Sequence, residues 1–274
     1  MYGAVFGDII GSTYELHNVK TVDFPLFPAG STFTDDTVMT IAVAEKLLTQ
    51  PQGKHFVLLP PQITSAKSYA LWFKQYYRRY PNVGYGQMFA KWALSESFIV
   101  QRSYGNGAAM RVSAIACAFD SLREVLDEVK QSCYYTHRHP EAIRGAQAVA
   151  AAVFLARKGC DKGEIQRYLT KKLHYRPSMP LDYLRDTYVF NSRTSYSVPP
   201  AIQAFMESCS YEDAVRKAVS IGGDSDTIAC ITGGIAHAYY KKIPDAIYSR
   251  AITYLDSGLK DTLRRFEEQF EIPR

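Results

Sequence analysis

Two short acidic clusters carry the clearest chemistry in the chain. In IGGDSDTIACITGG, residues 221–234, Asp224 and Asp226 stand one residue apart with Thr227 beside them, ahead of a run of small and apolar residues. In FTDDTVMT, residues 33–40, Thr34, Asp35 and Asp36 precede another apolar run in the same way. A single Asp at a helix start satisfies free backbone N–H groups and suits the positive end of the helix dipole. Successive helix residues point about 100° apart, so adjacent acids fan out and cannot all cap one backbone. Four carboxylates brought together repel, and some must bind protons unless positive charge lies between them. Neither cluster contains Lys or Arg. An oxygen-only set of Asp and Thr, without Cys or paired His, suits a hard ion such as Mg2+ or Mn2+. Two unrelated, well-capped helices would explain the same patterns.

Other stretches raise narrower possibilities. GDIIGSTYE, residues 7–15, adds Asp8, read as holding a turn after Gly7, and Glu15, read from its residues alone as an ordinary surface acid that a metal-bound water could also use as a base. SYGNGAAMR sets Gly105 and Gly107 around Asn106 just before a helix, where backbone N–H groups can face a phosphate or merely form a turn. GYG, with Gly84 and Gly86, shares that ambiguity, and neither stretch is a Walker motif. THRHPEAIRG carries His137 and His139 at a helix entrance, as polar loop residues or as donors to a ligand hydroxyl or phosphate.

The elements that must position these residues are helical. Apolar periodicity of the helical kind recurs through the chain, with no long two-residue alternation to establish a sheet. Helices are expected over 34–48, 63–77, 109–119, 121–134, 140–158, 162–173, 201–209, 211–220, 227–240 and 245–270. Two of them, Ala142 to Ala156 and Thr227 to Tyr240, are rich in small residues, and Gly233 and Gly234 would each cost about 1 kcal/mol relative to Ala unless close helix packing offset it. These two are expected at the centre of a tightly packed bundle. No Gly/Ser-rich or Pro-rich linker divides the chain, so residues 1–274 read as one domain.

Composition excludes several classes. At 47% hydrophobic and 22% charged residues, the chain reads as globular rather than disordered or fibrous. No run approaches the ~18 apolar residues of a membrane span, and the N-terminus lacks the basic region of a signal peptide; a cytoplasmic protein is expected. The cysteines 117, 133, 160, 209 and 230 are odd in number, far apart and without a CxxC pair, which argues for reduced, packed thiols. The net charge of +5 says little about partners.

Taken together, GDIIGSTYE, FTDDTVMT, GYG, SYGNGAAMR, YTHRHPEAIRGAQAVAAAV, SVPPAIQAF and YEDAVRKAVSIGGDSDTIACITGGIA resemble the ADP-ribosylglycohydrolase family, in family order from residue 3 to residue 236. The resemblance implies an all-α fold, a compact orthogonal multi-helix bundle, with a two-Mg2+ centre. It places Thr34, Asp35 and Asp36 on one metal motif and Asp224, Asp226 and Thr227 on the other, with Asp226 bridging. It matches Glu15 to a glutamate near the reaction centre, Gly84, Gly86, Ser103, Tyr104, Gly105, Asn106 and Gly107 to ligand-lining loops, and His137 to a residue close to ADP-ribose. SRTSYSVPP, residues 192–200, departs from the acidic or cysteine-bearing stretch of many relatives.

The implied reaction is hydrolysis of the bond between C1 of the distal ribose of ADP-ribose and an acceptor. Two cations would bind ribose hydroxyls and a water, and Glu15 or a metal-bound acid such as Asp36 would take the water's proton. The partner is ADP-ribose or an ADP-ribosylated protein or small molecule, with a nucleobase acceptor also open, and the chain could act as a monomer. A two-metal nucleotide phosphohydrolase and a non-catalytic ADP-ribose-binding or crystallin-like member are the competing readings.

Overall fold

The computed structural model describes residues 1–49, 61–176 and 178–270. Its helices are α1 (Tyr2–Leu16), α2 (Asp35–Leu48), α3 (Pro61–Arg79), α4 (Gln87–Leu94), α5 (Ser113–Ala118), α6 (Leu122–Cys133), α7 (Pro140–Arg157), α8 (Lys162–Lys172), α9 (Leu181–Thr187), α10 (Thr194–Met206), α11 (Tyr211–Val219), α12 (Ser225–Tyr240), α13 (Asp245–Ala251) and α14 (Ser257–Phe270), and no strand forms among the described residues. The all-α bundle expected from the sequence is therefore the fold.

Its centre is an antiparallel pair, α1 against α12, made possible by small residues at four-residue spacing. A Cβ placed on Gly3, Gly7 or Gly11 would lie 2.3 Å from Gly233 O, 2.2 Å from Ala229 O and 2.5 Å from Ser225 O respectively. The two backbones thus touch directly, and an added methyl must push them apart, an overpacking that costs about 1–3 kcal/mol or more. Gly233 fulfils the close-approach role expected of it. Residues 2–11 are buried throughout, so α1 shows no amphipathic stripe. That is why periodicity gives no helix there, and why Asp8 reads as part of a turn. It sits instead in mid-helix, fully buried.

Other boundaries moved for local reasons. Helix α10 begins at Thr194, upstream of the expected start at 201, and carries Pro199 and Pro200 inside it. Proline usually interrupts a helix interior, but here the hydroxyl of Thr194 anchors the first turn by donating to Tyr104 O at 2.8 Å and Gly105 O at 2.7 Å. The expected helix 245–270 is broken between α13 and α14, where Asp256 accepts from Leu259 N at 2.8 Å and restarts the chain. Helices α4 and α9 were not expected at all; they are short and offer few turns of pattern. The small-residue helix α7 starts at Pro140 as expected and packs against α12. No helix among the described residues is long and apolar enough to cross a membrane. The cysteines are free, with Cys117, Cys133 and Cys230 buried and Cys209 exposed.

Candidate metal centre and ligand cleft

Three helix ends meet at one place. The contact of Gly11 with Ser225 brings the C-terminal turn of α1, with Glu15, beside the start of α12, with Asp224, Asp226 and Thr227. The start of α2 joins them through Asp8. Its carboxylate accepts from Thr34 N at 2.9 Å, Thr34 Oγ1 at 2.7 Å, Thr37 N at 3.0 Å and the Thr37 hydroxyl. Thr34 in turn caps α2, accepting from Asp36 N at 3.3 Å. One bond ties the two acidic motifs directly: Thr227 Oγ1 donates to Asp36 Oδ2 at 3.1 Å.

Carboxylate oxygens of Glu15, Asp224 and Asp226 all lie within 4.8 Å of one another. Glu15 is half-buried in this group, so its reading as an ordinary surface acid does not hold. Burial, followed by the repulsion of neighbouring acids, drives the carboxyls of Asp35, Asp36 and Asp226 well above the usual range. Burial also raises Glu15, with Asp224 and Asp8 adding to it. Asp8 and Asp224 are raised by burial too, against the opposing pull of their hydrogen bonds. None of these six acids forms an ion pair with Lys or Arg among the described residues. Asp36 Oδ1 is buried without any hydrogen-bond partner. Such a set is strained as it stands, and a hard cation among these oxygens fits both the orphaned lone pairs and the crowded charge.

The acids open onto a cleft of about 350 Å³ lined by Glu15, Thr34, Asp35, Asp36, Asp224, Asp226 and Thr227 on one side and by Gly84, Gly86, Ser103, Gly105, Asn106, Gly107 and His137 on the other. Asn106 joins the two sides, donating through Nδ2 to Asp224 Oδ2 at 2.7 Å and to Ser197 Oγ at 2.9 Å. Asp35 N donates to Val83 O at 2.7 Å, which seats the Gly84 loop against α2. His137 is buried, and burial, with Arg111 adding, holds its imidazole well below the usual range and hence neutral. Its Nδ1 lies 2.8 Å from Thr136 Oγ1, and its Nε2 faces Gly107, where a Cβ would come within 3.2 Å.

One expected residue stands apart. Tyr104 does not line the cleft; the residue is 53% exposed, its ring edge-on to His139 and under the Arg193 guanidinium at 5.0 Å. The backbone turns there because Thr194 captures the carbonyls of Tyr104 and Gly105. His139 is likewise structural, its Nδ1 accepting from Glu141 N at the start of α7. Sequence reasoning overlooked Arg111, Thr136, Ser197 and Phe190. Arg111 is buried on the cleft wall, stacked on Phe73 at 4.0 Å and donating to Ser132 O at 3.0 Å and Thr136 Oγ1 at 2.8 Å. Its position at the end of SYGNGAAMR was the only available signal.

Comparison with known proteins bears on the fold and the family. A solved structure described as an ADP-ribosylglycohydrolase-related protein complex superposes with a TM-score of 0.72 at 21% identity, over 100% of this chain and 96% of that one, a likeness of fold. The ADP-ribosylhydrolase ARH3 of Mus musculus is 27% identical over 89% of this chain and 84% of its own length, and that of Homo sapiens 28% over 87% and 83%. The ADP-ribosylarginine hydrolase Tri1 of Pseudomonas putida (strain GB-1) is 26% identical over 88% of this chain and 69% of its own. These relatives are named as hydrolases that act on ADP-ribosyl groups. The family model described as ADP-ribosylglycohydrolase matches residues 1–271, nearly end to end, and the chain therefore belongs to the ADP-ribosylglycohydrolase family.

Proposed function

We propose that residues 1–274 form a single catalytic domain that hydrolyses, with magnesium, the bond between C1 of the distal ribose of ADP-ribose and an acceptor. The observation that carries this reading is the meeting of five acids, Glu15, Asp35, Asp36, Asp224 and Asp226, on the wall of a glycine-lined cleft, none of them ion-paired with Lys or Arg among the described residues and Asp36 Oδ1 left orphaned. Family membership and the names of the relatives supply the substrate class.

Thr34, Asp35, Asp36, Asp224, Asp226 and Thr227 would hold two Mg2+ ions, for which Mn2+ could substitute. Bound there, the metal offsets the carboxylate charge, orients sugar hydroxyls and makes water more acidic. The chain's own residues do the rest. Glu15 stands among the oxygens of Asp224 and Asp226, and its raised proton affinity suits it to take a proton from an attacking water. Asp36, with one oxygen free of hydrogen bonds, is the second candidate for that proton. Neutral His137, with Nε2 toward Gly105 and Gly107, offers the ligand a hydrogen bond at a wall where no side chain bars close approach. Ser103, Asn106, Gly84 and Gly86 complete that wall, while Tyr104 falls outside it.

The test is a panel of ADP-ribose conjugates on arginine, serine, an acetyl ester and a nucleobase, run with Mg2+ and again with EDTA. Metal-dependent release of ADP-ribose with its pyrophosphate intact is expected from at least one conjugate. AMP as the sole product would establish a phosphohydrolase instead, and an inert panel with retained ADP-ribose binding would establish a binding module. Glu15→Gln should lower kcat with little change in ADP-ribose affinity, whereas His137→Ala should mainly weaken binding.

A further inference from the structure

The carboxamide of Asn18 makes an unusual set of bonds for a residue just beyond a helix end. Its Nδ2 donates to Tyr14 O at 2.6 Å and Glu15 O at 2.9 Å, the free carbonyls of the last turn of α1. The same nitrogen reaches Gly223 O at 3.3 Å, and Oδ1 accepts from Gly223 N at 2.6 Å. One side chain thus clasps the backbone of Glu15 and the backbone next to Asp224. The turn it grips cannot be built by ordinary residues, since Gly222 and Gly223 have φ of +75° and +72°. The Asp224 side chain makes no capping bond at the start of α12. A neighbouring clamp acts on the same turn: Lys20 Nζ donates to Ile221 O at 2.6 Å and to Tyr188 O at 2.9 Å.

We propose that Asn18 is a positioning residue that locks the Glu15 end of α1 to the Gly222–Gly223 turn and so sets the spacing of Glu15 from Asp224 and Asp226. The inference rests on the functional reading above for its kinetic consequence, though not for its geometry. Only Asn has the required pattern at this reach, two N–H donors for carbonyls and one acceptor for an amide. Asp would keep the acceptor and turn a second carboxylate oxygen against three carbonyls.

Asn18→Ala is compared with wild type in a double-mutant cycle with Glu15→Gln. Asn18→Ala alone is expected to lower kcat about 10- to 100-fold, as loss of an outer support does at such sites, with ADP-ribose Kd within about twofold. On the Glu15→Gln background the same change should alter kcat by less than about threefold. An equal loss in both backgrounds, or no loss in kcat, overturns the proposal. Asn18→Asp, which keeps the bond from Gly223 N, takes the place of Asn18→Ala in the same cycle if the latter does not fold. Hydrogen exchange at the Gly223 amide, measured without metal, reads the lock independently of activity. A rise of about tenfold or more in Asn18→Ala is expected, and an unchanged rate overturns the proposal. A wild type that is inert on every conjugate refutes the functional reading alone, and the exchange experiment still decides the lock.

Discussion

The two acidic motifs look alike in sequence and are held in different ways. At the start of α2, Thr34 caps its own helix, and the single buried carboxylate of Asp8 grips both Thr34 and Thr37. At the start of α12, Asp224 makes no side-chain cap and is held from elsewhere, by Asn106 through its carboxylate and by Asn18 through the neighbouring Gly223. The first motif is capped locally and gripped by Asp8, 26 residues away, with Val83 and Thr227 adding one bond each. The second is assembled by distant chain segments, as the separations of 118 for Asn106 and 205 for Asn18 show. A motif supported locally should fail with the fold. One supported from a distance should lose function before it loses stability.

The largest expected effect tests whether both motifs serve one centre. Asp226→Asn and Asp36→Asn should each weaken Mg2+ affinity by about 100-fold or more in calorimetry, since loss of a ligand exceeds the 10- to 100-fold typical of outer supports. In EDTA both should raise Tm by about 2–4 °C, the shift that about 1 kcal/mol produces in a domain of this size, because each removes one of several repelling buried charges. Affinity unchanged in either variant would separate the motifs.

Next in size is Asp8→Asn, which replaces an acceptor of four bonds with a group that presents N–H to N–H. A loss of about 3 kcal/mol in urea unfolding is expected, a few buried bonds at 1–3 kcal/mol each with partial relaxation. Asn106→Ala should lose less stability, about 1 kcal/mol, yet weaken Mg2+ binding by about tenfold. Reversal of that order, with Asn106 the greater support of the fold, would undo the contrast between local and distant support.

The smallest effect lies at the far end of the α1–α12 seam and serves as the control. Burial pulls the imidazole of His237 down to about 3 from 6.5, so it is neutral in the folded chain. The unfolded chain takes up a proton below pH 6.5 while the folded one does not. Stability is therefore complete above that pH and falls as pH drops toward 3. Between pH 7.5 and 5.5 the loss should be about 1 kcal/mol. The difference between wild type and His237→Gln in urea titrations at the two pH values isolates it; identical pH slopes would show that His237 does not carry it.

Much of the site was legible because it is local. An Asp-rich helix start, a glycine pair around Asn106 and a Pro-initiated small-residue helix each announce themselves within a few residues, and α2, α7 and α12 appear where those signals stand. Legibility ended where meaning depended on a partner far along the chain. Glu15 reads as a surface acid until Gly11 is seen against Ser225, which carries the end of α1 to the start of α12. Asp8 reads as a turn residue because α1 is buried on every side and shows no stripe. Tyr104 reads as part of the ligand loop until Thr194 is found holding its carbonyl and leaving the ring outside.

What the sequence by itself determined is which residues start helices, which acids stand together and which family the chain belongs to, all properties of short segments and their order. Tertiary structure alone decided which acids share one space. Carboxylates from α1, α2 and α12 come together only because three glycines and their small partners let two backbones touch, and that close packing is a property of the pair of helices rather than of either one.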